Sequence, residues 1–197
     1  ILNLPYIEPG KIREKSFTVA VDAVNGAGSH ALPRLLETLG VNVKRLYCEP
    51  NGIFPHNPEP LPEHLTEICE YVVENGCDLG FVTDPDADRL AVVDENGGLF
   101  GEEYTQVAAF DFMLEQKPGD TATNLSSSRA AEQITEKYGQ ICHRSAVGEI
   151  NVVKVMQREN AVIAGEGNGG VINPDLHPGR DAMVGAAMIL QLLANRD

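Results

Sequence analysis

Residues 77–97 read CDLGFVTDPDADRLAVVDENG: an apolar run, three aspartates at alternate positions, an arginine, then a second apolar run. In extended backbone, residues i, i+2 and i+4 point to the same side, so Asp84, Asp86 and Asp88 crowd together. Close like charges repel, so a positive group belongs beside them or the protons stay on. DLGFVT and RLAVVDENG read as strands on either side of this acidic loop.

Working outward, strand and helix patterns alternate. FTVAVDAV is a strand, NGAGS a turn, HALPRLLETLG a helix with a glycine stop, VNVKRLYCE a strand, and EHLTEICEYVVENG a helix after a proline-rich loop. After the acidic hairpin, YTQVAAFDFMLEQ is helical. TATNL is then a strand, SSS a polar turn, RAAEQITEKYG a helix, QICHRSAV a strand, EINVVKVMQREN a helix and AVIAG a strand. EGNGGVINPDLHPG reads as a loop and RDAMVGAAMILQLLAN as a closing helix. Strands alternating with helices of this length indicate α/β architecture with parallel sheets. The expected fold is two tandem β-α-β-α-β units, each a mostly parallel sheet flanked by helices, spanning 1–102 and 103–197. The loop after the third strand is TDPDADR in the first unit and GEGNGG in the second. Ligands of open α/β sheets bind beyond the carboxyl ends of strands, so each unit places one loop where a ligand is expected.

Composition narrows the class. A chain of 197 residues with 43% hydrophobic residues can build a real core, and its net charge of −14 argues against nucleic-acid and anionic-membrane partners. No apolar run reaches the roughly 20 residues of a membrane span. Cys48, Cys69, Cys77 and Cys142 form no C-x-x-C pair and read as inert thiols of a reducing cytoplasm. The chain opens without Met and stops inside a helical pattern, which leads us to expect a fragment.

Each motif has a bland reading beside its sharp one. Three hard-oxygen side chains suit Mg²⁺ or Ca²⁺. An EF-hand is excluded, since Arg89 stands at the sixth position, where glycine is required, and strands flank the loop. A metal-dependent phosphohydrolase with Asp84 as nucleophile fits GFVTDPD. Gly26-x-Gly28-x-x-Ala31, with Glu49 closing the next strand, resembles a dinucleotide fingerprint but reads equally as a tight strand-to-helix turn with Ser29 as N-cap. Ser126, Ser127 and Ser128 read as turn and capping hydroxyls, and Lys154 as a solvated helix lysine.

Taken together, VDAVNGAGSHALPRLLETLG, FPHNPEP, DPDADRLAVVDENG, VGEINVVKVM and GEGNGGVINPDLHPGRDAM resemble, in order, the second and third of the four domains of the α-D-phosphohexomutases. That family includes phosphoglucomutase, phosphomannomutase and phosphoglucosamine mutase. DPDADR is close to its D-G-D-G-D-R metal loop, with Pro85 and Ala87 in place of the glycines. The resemblance implies that Asp84, Asp86 and Asp88 hold Mg²⁺ and that Arg89 contacts substrate or a phosphoserine carried by the first domain. GEGNGG corresponds to the sugar-reading G-E-x-S-G-H loop, so Glu166 would accept from sugar hydroxyls and Asn168 would stand for the serine. Gly170 replaces the histidine of many members. Gly148 is carried over from a third loop, and Arg180 is either a phosphate contact or a structural ion pair, with Asp181 a helix N-cap. The implied reaction interconverts hexose 6-phosphate and hexose 1-phosphate through a hexose 1,6-bisphosphate. The partners implied are a phosphorylated hexose and the first and fourth domains. Neither a phosphoserine loop like T-A-S-H-N-P nor a phosphate loop like R-x-S-x-T-E lies in the chain, so this stretch alone is expected to be inactive.

Overall fold

The computed structural model describes residues 1–196. Strands β1 (Thr18–Asp22), β2 (Asn42–Arg45), β3 (Leu79–Thr83) and β4 (Leu90–Asp94) form one sheet in the order β2-β1-β3-β4. Strand β1 runs parallel to both neighbours, with Val19 opposite Val43 and Leu79, while β4 returns antiparallel to β3. Strands β5 (Thr121–Asn124), β6 (Cys142–Ser145), β7 (Ile163–Glu166) and β8 (Gly170–Ile172) repeat this plan in the order β6-β5-β7-β8, again with one antiparallel edge. The architecture is therefore α/β in two tandem units, as the alternation of patterns indicates.

Helices α1 (Pro9–Lys15), α2 (Gly28–Thr38), α3 (Thr66–Glu74), α4 (Glu102–Gln116), α5 (Ala130–Lys137), α6 (Glu149–Glu159) and α7 (Ala182–Ala194) flank the sheets. Side chains alternate across each strand. Val19, Val21, Leu79, Phe81, Leu90 and Val92 join one large core, while Ala20, Val82, Ala91 and Val93 pack with Ile68 and Val72 of α3. In the second unit Ala122, Ala164 and Ile172 pack with Val152, Val153 and Met156 of α6, leaving Lys154 exposed. The large core is common to both units. Phe110, Phe112 and Met113 of α4 and Met188 and Leu190 of α7 belong to it together with the first sheet. Helix α7 is apolar almost all round, and every residue of it except Met183 and Leu193 is buried.

Three features depart from the sequence reading. Helix α1 lies where no helix is expected. It is a short helix of about two turns, started by Pro9 and stopped by Ser16 in left-handed backbone, and it buries only Ile12. Strand β8 falls inside GGVI, read as loop, because the tight connection 167–169, with Gly169 at φ +88°, folds the chain straight back onto β7. Ser29 is not an N-cap. Helix α2 begins two residues earlier, with Ala27 at the cap position, and the Ser29 hydroxyl is buried without a partner.

The reason for Gly26 and Gly28 is packing against the acidic loop. The N–H of Ala27 donates to the Pro85 carbonyl at 2.7 Å, so the start of α2 already holds the loop. A Cβ on Gly26 would lie 2.5 Å from Pro85 O, and one on Gly28 would lie 2.6 Å from Thr83 Oγ1. Gly26→Ala, whose backbone φ any residue tolerates, should destabilise the chain by roughly 1–3 kcal/mol through this overlap. Urea denaturation followed by circular dichroism would measure it, and an unchanged midpoint would refute the packing role.

Candidate functional site at the facing strand ends

The acidic loop leaves β3, buried along its whole length, and turns back into β4 within six residues. Asp84 is buried, with 6% of its surface exposed, and its Oδ1 accepts the backbone N–H groups of Asp88 and Arg89, both at 3.1 Å. These two bonds bend the loop so that Asp84, Asp86 and Asp88 offer oxygens all within 4.8 Å of one another. The turn needs left-handed backbone at Ala87, φ +59°. Burial, together with the neighbouring charges of Asp88 and Asp86, pushes the Asp84 carboxyl up to about 6, against the backbone hydrogen bond from Arg89.

Two arginines answer the negative charge. Arg89, from the loop itself, places Nε 3.4 Å from Asp84 Oδ2 and 3.8 Å from Asp88 Oδ1, and NH1 3.9 Å from Glu59. Arg180, from the residue before the α7 N-cap, pairs with Asp88 Oδ2 and, at 2.9 Å, with Glu166 Oε2. Burial works against the Arg180 charge, but Asp88, Glu166 and Glu149 outweigh it and raise its pKa. Asp181 does cap α7, accepting from the N–H groups of Met183 and Val184.

Glu166 ends β7 and is buried. Its Oε1 accepts from Asn124 Nδ2 at 2.7 Å, and Asn124 Oδ1 in turn accepts from the backbone N–H and hydroxyl groups of Ser126 and Ser127. The Ser127 hydroxyl also accepts the Gly167 N–H at 2.9 Å. These serines thus hold the turn between two site loops. Asn168 closes its own loop, its Oδ1 accepting the Gly170 N–H at 3.3 Å. Gly148 caps α6 at φ +112°, ψ 130°, a conformation confined in practice to glycine. The next residue, Glu149, accepts the Arg180 N–H at 2.7 Å. Backbone bonds knit the two units here as well. Leu90 N–H donates to Gly169 O at 3.0 Å, and Ala182 N–H donates to Ala87 O at 3.1 Å.

The acidic loop, Arg89, Glu166, Asn168 and Arg180 therefore come together at the facing strand ends, with Gly148 joined to them through Glu149. Asn124, Ser127 and Glu149 belong to the same network. Sequence reasoning read Ser127 as a turn hydroxyl, Glu149 as a helix residue and Asn124 as part of a strand without a site role, although Asn124 ends that strand facing the site and that position was the available signal.

Asp88 Oδ1 is buried without a hydrogen-bond partner, and three carboxylates with an orphaned oxygen fit a hard divalent cation such as Mg²⁺. The thiols fit no such role. All four are free, and burial raises each of them, Cys48 to about 11. Among the described residues, no helix is long and apolar enough to cross a membrane.

The family models for α/β/α domains II and III of phosphoglucomutase/phosphomannomutase match residues 3–98 and 101–197. The chain is 37% identical, over 96% of its length, to a phosphoglucomutase/phosphomannomutase of Thermococcus kodakarensis, of which it covers 44%. It is 33% identical, over 90% of its length, to a phosphoglucosamine mutase of Acidovorax sp., of which it covers 40%. The crystal structure of a phosphoglucomutase/phosphomannomutase family protein from Burkholderia thailandensis superposes with a TM-score of 0.84 at 26% identity, covering 95% of this chain and 43% of that one. The chain thus spans less than half the length of these relatives. None of them is a phosphohydrolase or a dinucleotide-binding protein, and those two readings of Asp84 and of Gly26/Gly28 have no support.

Two outcomes follow from the loop geometry. Ala87→Gly should stabilise the chain by about 1 kcal/mol, the cost of left-handed backbone for a residue with a Cβ, read from thermal or urea unfolding. The raised Asp84 carboxyl, from 3.8 to about 6, binds its proton more tightly folded than unfolded. Its contribution to stability is therefore lost as pH rises through about 6. In chelator-treated buffer at pH 8, Asp84→Asn should exceed the parent chain in stability by on the order of 2 kcal/mol. The gap should close below pH 4, and a gap independent of pH would contradict the assignment.

Proposed function

Because the chain belongs to the phosphoglucomutase/phosphomannomutase family, we propose that it forms the metal-binding and sugar-reading domains of a cytoplasmic phosphohexomutase. The proposed division places the metal-binding domain at 1–102 and the sugar-reading domain at 103–197. The reaction is phosphoryl movement between the 6- and 1-positions of a hexose through a hexose 1,6-bisphosphate, with a phosphoserine supplied by the family's first domain and a phosphate loop by its fourth. The observation that carries this reading is the convergence of the DPDADR triad with the Glu166 loop in one network, bridged by Arg180.

Asp84, Asp86 and Asp88 would hold Mg²⁺, and when bound the ion supplies charge neutralisation at the transferring phosphoryl group. The backbone N–H groups of Asp88 and Arg89 fix Asp84, and the Arg180 fork fixes Asp88. Arg89 stands beside the triad with planar donors suited to phosphate oxygens. On the other side, Glu166 is held by Asn124 through one oxygen, and Asn168 brings an amide able both to donate and to accept toward sugar hydroxyls. The relatives bear glucose, mannose and glucosamine names, so the hexose is left general. The four free, raised thiols suit a reducing compartment.

Calorimetric titration with Mg²⁺ should show one site, abolished by Asp86→Asn. In a mutase carrying all four domains, Asp84→Ala should cut turnover of glucose, mannose or glucosamine phosphates by more than roughly 100-fold. Release of inorganic phosphate from sugar phosphates by the present chain alone would instead restore Asp84 as a hydrolytic nucleophile.

A further inference from the structure

Arg180 occupies an unusual position between the two loops. Its side chain is 13% exposed, and its two terminal nitrogens go to opposite domains, NH2 to Asp88 Oδ2 and NH1 to Glu166 Oε2. Its backbone is fixed on both sides. Glu149 takes its N–H, Asp181 N–H donates to Val171 O at 2.9 Å, and Arg180 itself bridges to Ile172. Its room comes from a missing side chain. A Cβ on Gly170 would lie 2.3 Å from Arg180 Cδ and 3.0 Å from Cγ. The guanidinium holds one oxygen of Asp88, and the other, Oδ1, is left buried in the triad without a hydrogen-bond partner, with Arg89 Nε 3.8 Å away. Glu166 is held likewise, one oxygen by Arg180 and one by Asn124.

We infer that Arg180 is a positioning residue that couples the two loops: its fork presents Asp88 Oδ1 to the divalent cation and makes cation affinity depend on Glu166, with Gly170 supplying the space. The inference rests on the metal-site reading above. A ligand's hydrogen-bond partner orients it, and removing such a partner typically lowers metal affinity 10–100-fold. A simple structural ion pair does not predict this. It would change unfolding, yet leave the triad's affinity untouched and indifferent to a glutamate on the other domain. Because the fork joins two sites, the effect must also be reciprocal: a ligand that draws Glu166 away from Arg180 and so changes cation affinity has its own affinity changed by the cation by the same factor.

The test uses Mn²⁺ as the probe, with free ion counted by electron paramagnetic resonance on the 197-residue chain. Arg180→Lys keeps the charge and loses the fork, so the expected rise in Kd, about 10-fold or more, reports position and not charge. Gly170→Ala removes no charged group but crowds the Arg180 stem, so it shifts the guanidinium and should weaken Mn²⁺ in the same direction. Glu166→Gln should raise Kd in the parent chain and leave it unchanged in the Arg180→Lys background. Circular dichroism confirms folding, and should Arg180→Lys not fold, the same cycle run with Gly170→Ala in its place carries the test. Parent-like affinity in Arg180→Lys and Gly170→Ala, or an equal Glu166→Gln effect in both backgrounds, overturns the coupling alone. Absence of Mn²⁺ uptake by the parent chain overturns the metal reading and the coupling with it.

Discussion

Carboxylates taken out of water must be neutralised, and this constraint shapes the meeting point of the two domains. Asp84 and Glu166 are both buried, and Asp88 lies between them. The first domain offers Arg89 and the second offers Arg180, each reaching acids that the other does not fully cover. Removing either cation would strand buried negative charge, which costs far more than an ion pair adds when both partners are present. The placement of the two sheets, strand end toward strand end, is the placement in which this charge balance closes.

Such a cluster does not stabilise a fold, so the stability has to come from elsewhere. It comes from an apolar core that ignores the domain boundary. Helices α4 and α7 carry Phe110, Phe112, Met113, Met188 and Leu190 into the same core as Phe81 and Leu90 of the first sheet. The two units are thus joined by hydrophobic burial on one side and by charge pairing and two backbone hydrogen bonds at the strand ends. Rigid joining holds the acidic loop and the Glu166 loop in register, and misplacement of about 1 Å at a reacting centre can cost 100-fold in rate.

Much of this was legible in the residues. The alternation of strand and helix patterns specified both units, because fully buried parallel strands and flanking helices have different periods. The acid triad was legible from its spacing between apolar runs, although the oxygens converge because the loop turns through left-handed Ala87 and not because the segment is extended. What escaped was short or reciprocal. Helix α1 contributes one buried side chain, and β8 is three residues long, too little for a period to register. The Ser29 cap failed because the acceptor for the helix start comes from Pro85, nearly 60 residues away. Asn124, Ser127 and Glu149 matter through partners in other elements, and pairings at such separations leave no local pattern.

The substitutions relative to the family loops have different physical meanings. Pro85 and Ala87 stand where the family loop has glycines, and Asp84, Asp86 and Asp88 converge all the same. Proline gives a carbonyl to Ala27 and is not asked for an N–H, while Ala87 accepts the strain of left-handed backbone because the Asp84 hydrogen bonds on Asp88 and Arg89 over-determine the turn. The convergence of the three carboxylates therefore holds with Pro85 and Ala87 between them. Gly170 is another matter. A side chain there would project from β8 into the space that the Arg180 stem fills. In that space Arg180 pairs with Asp88 on one side and Glu166 on the other, so one side chain ties the two loops together.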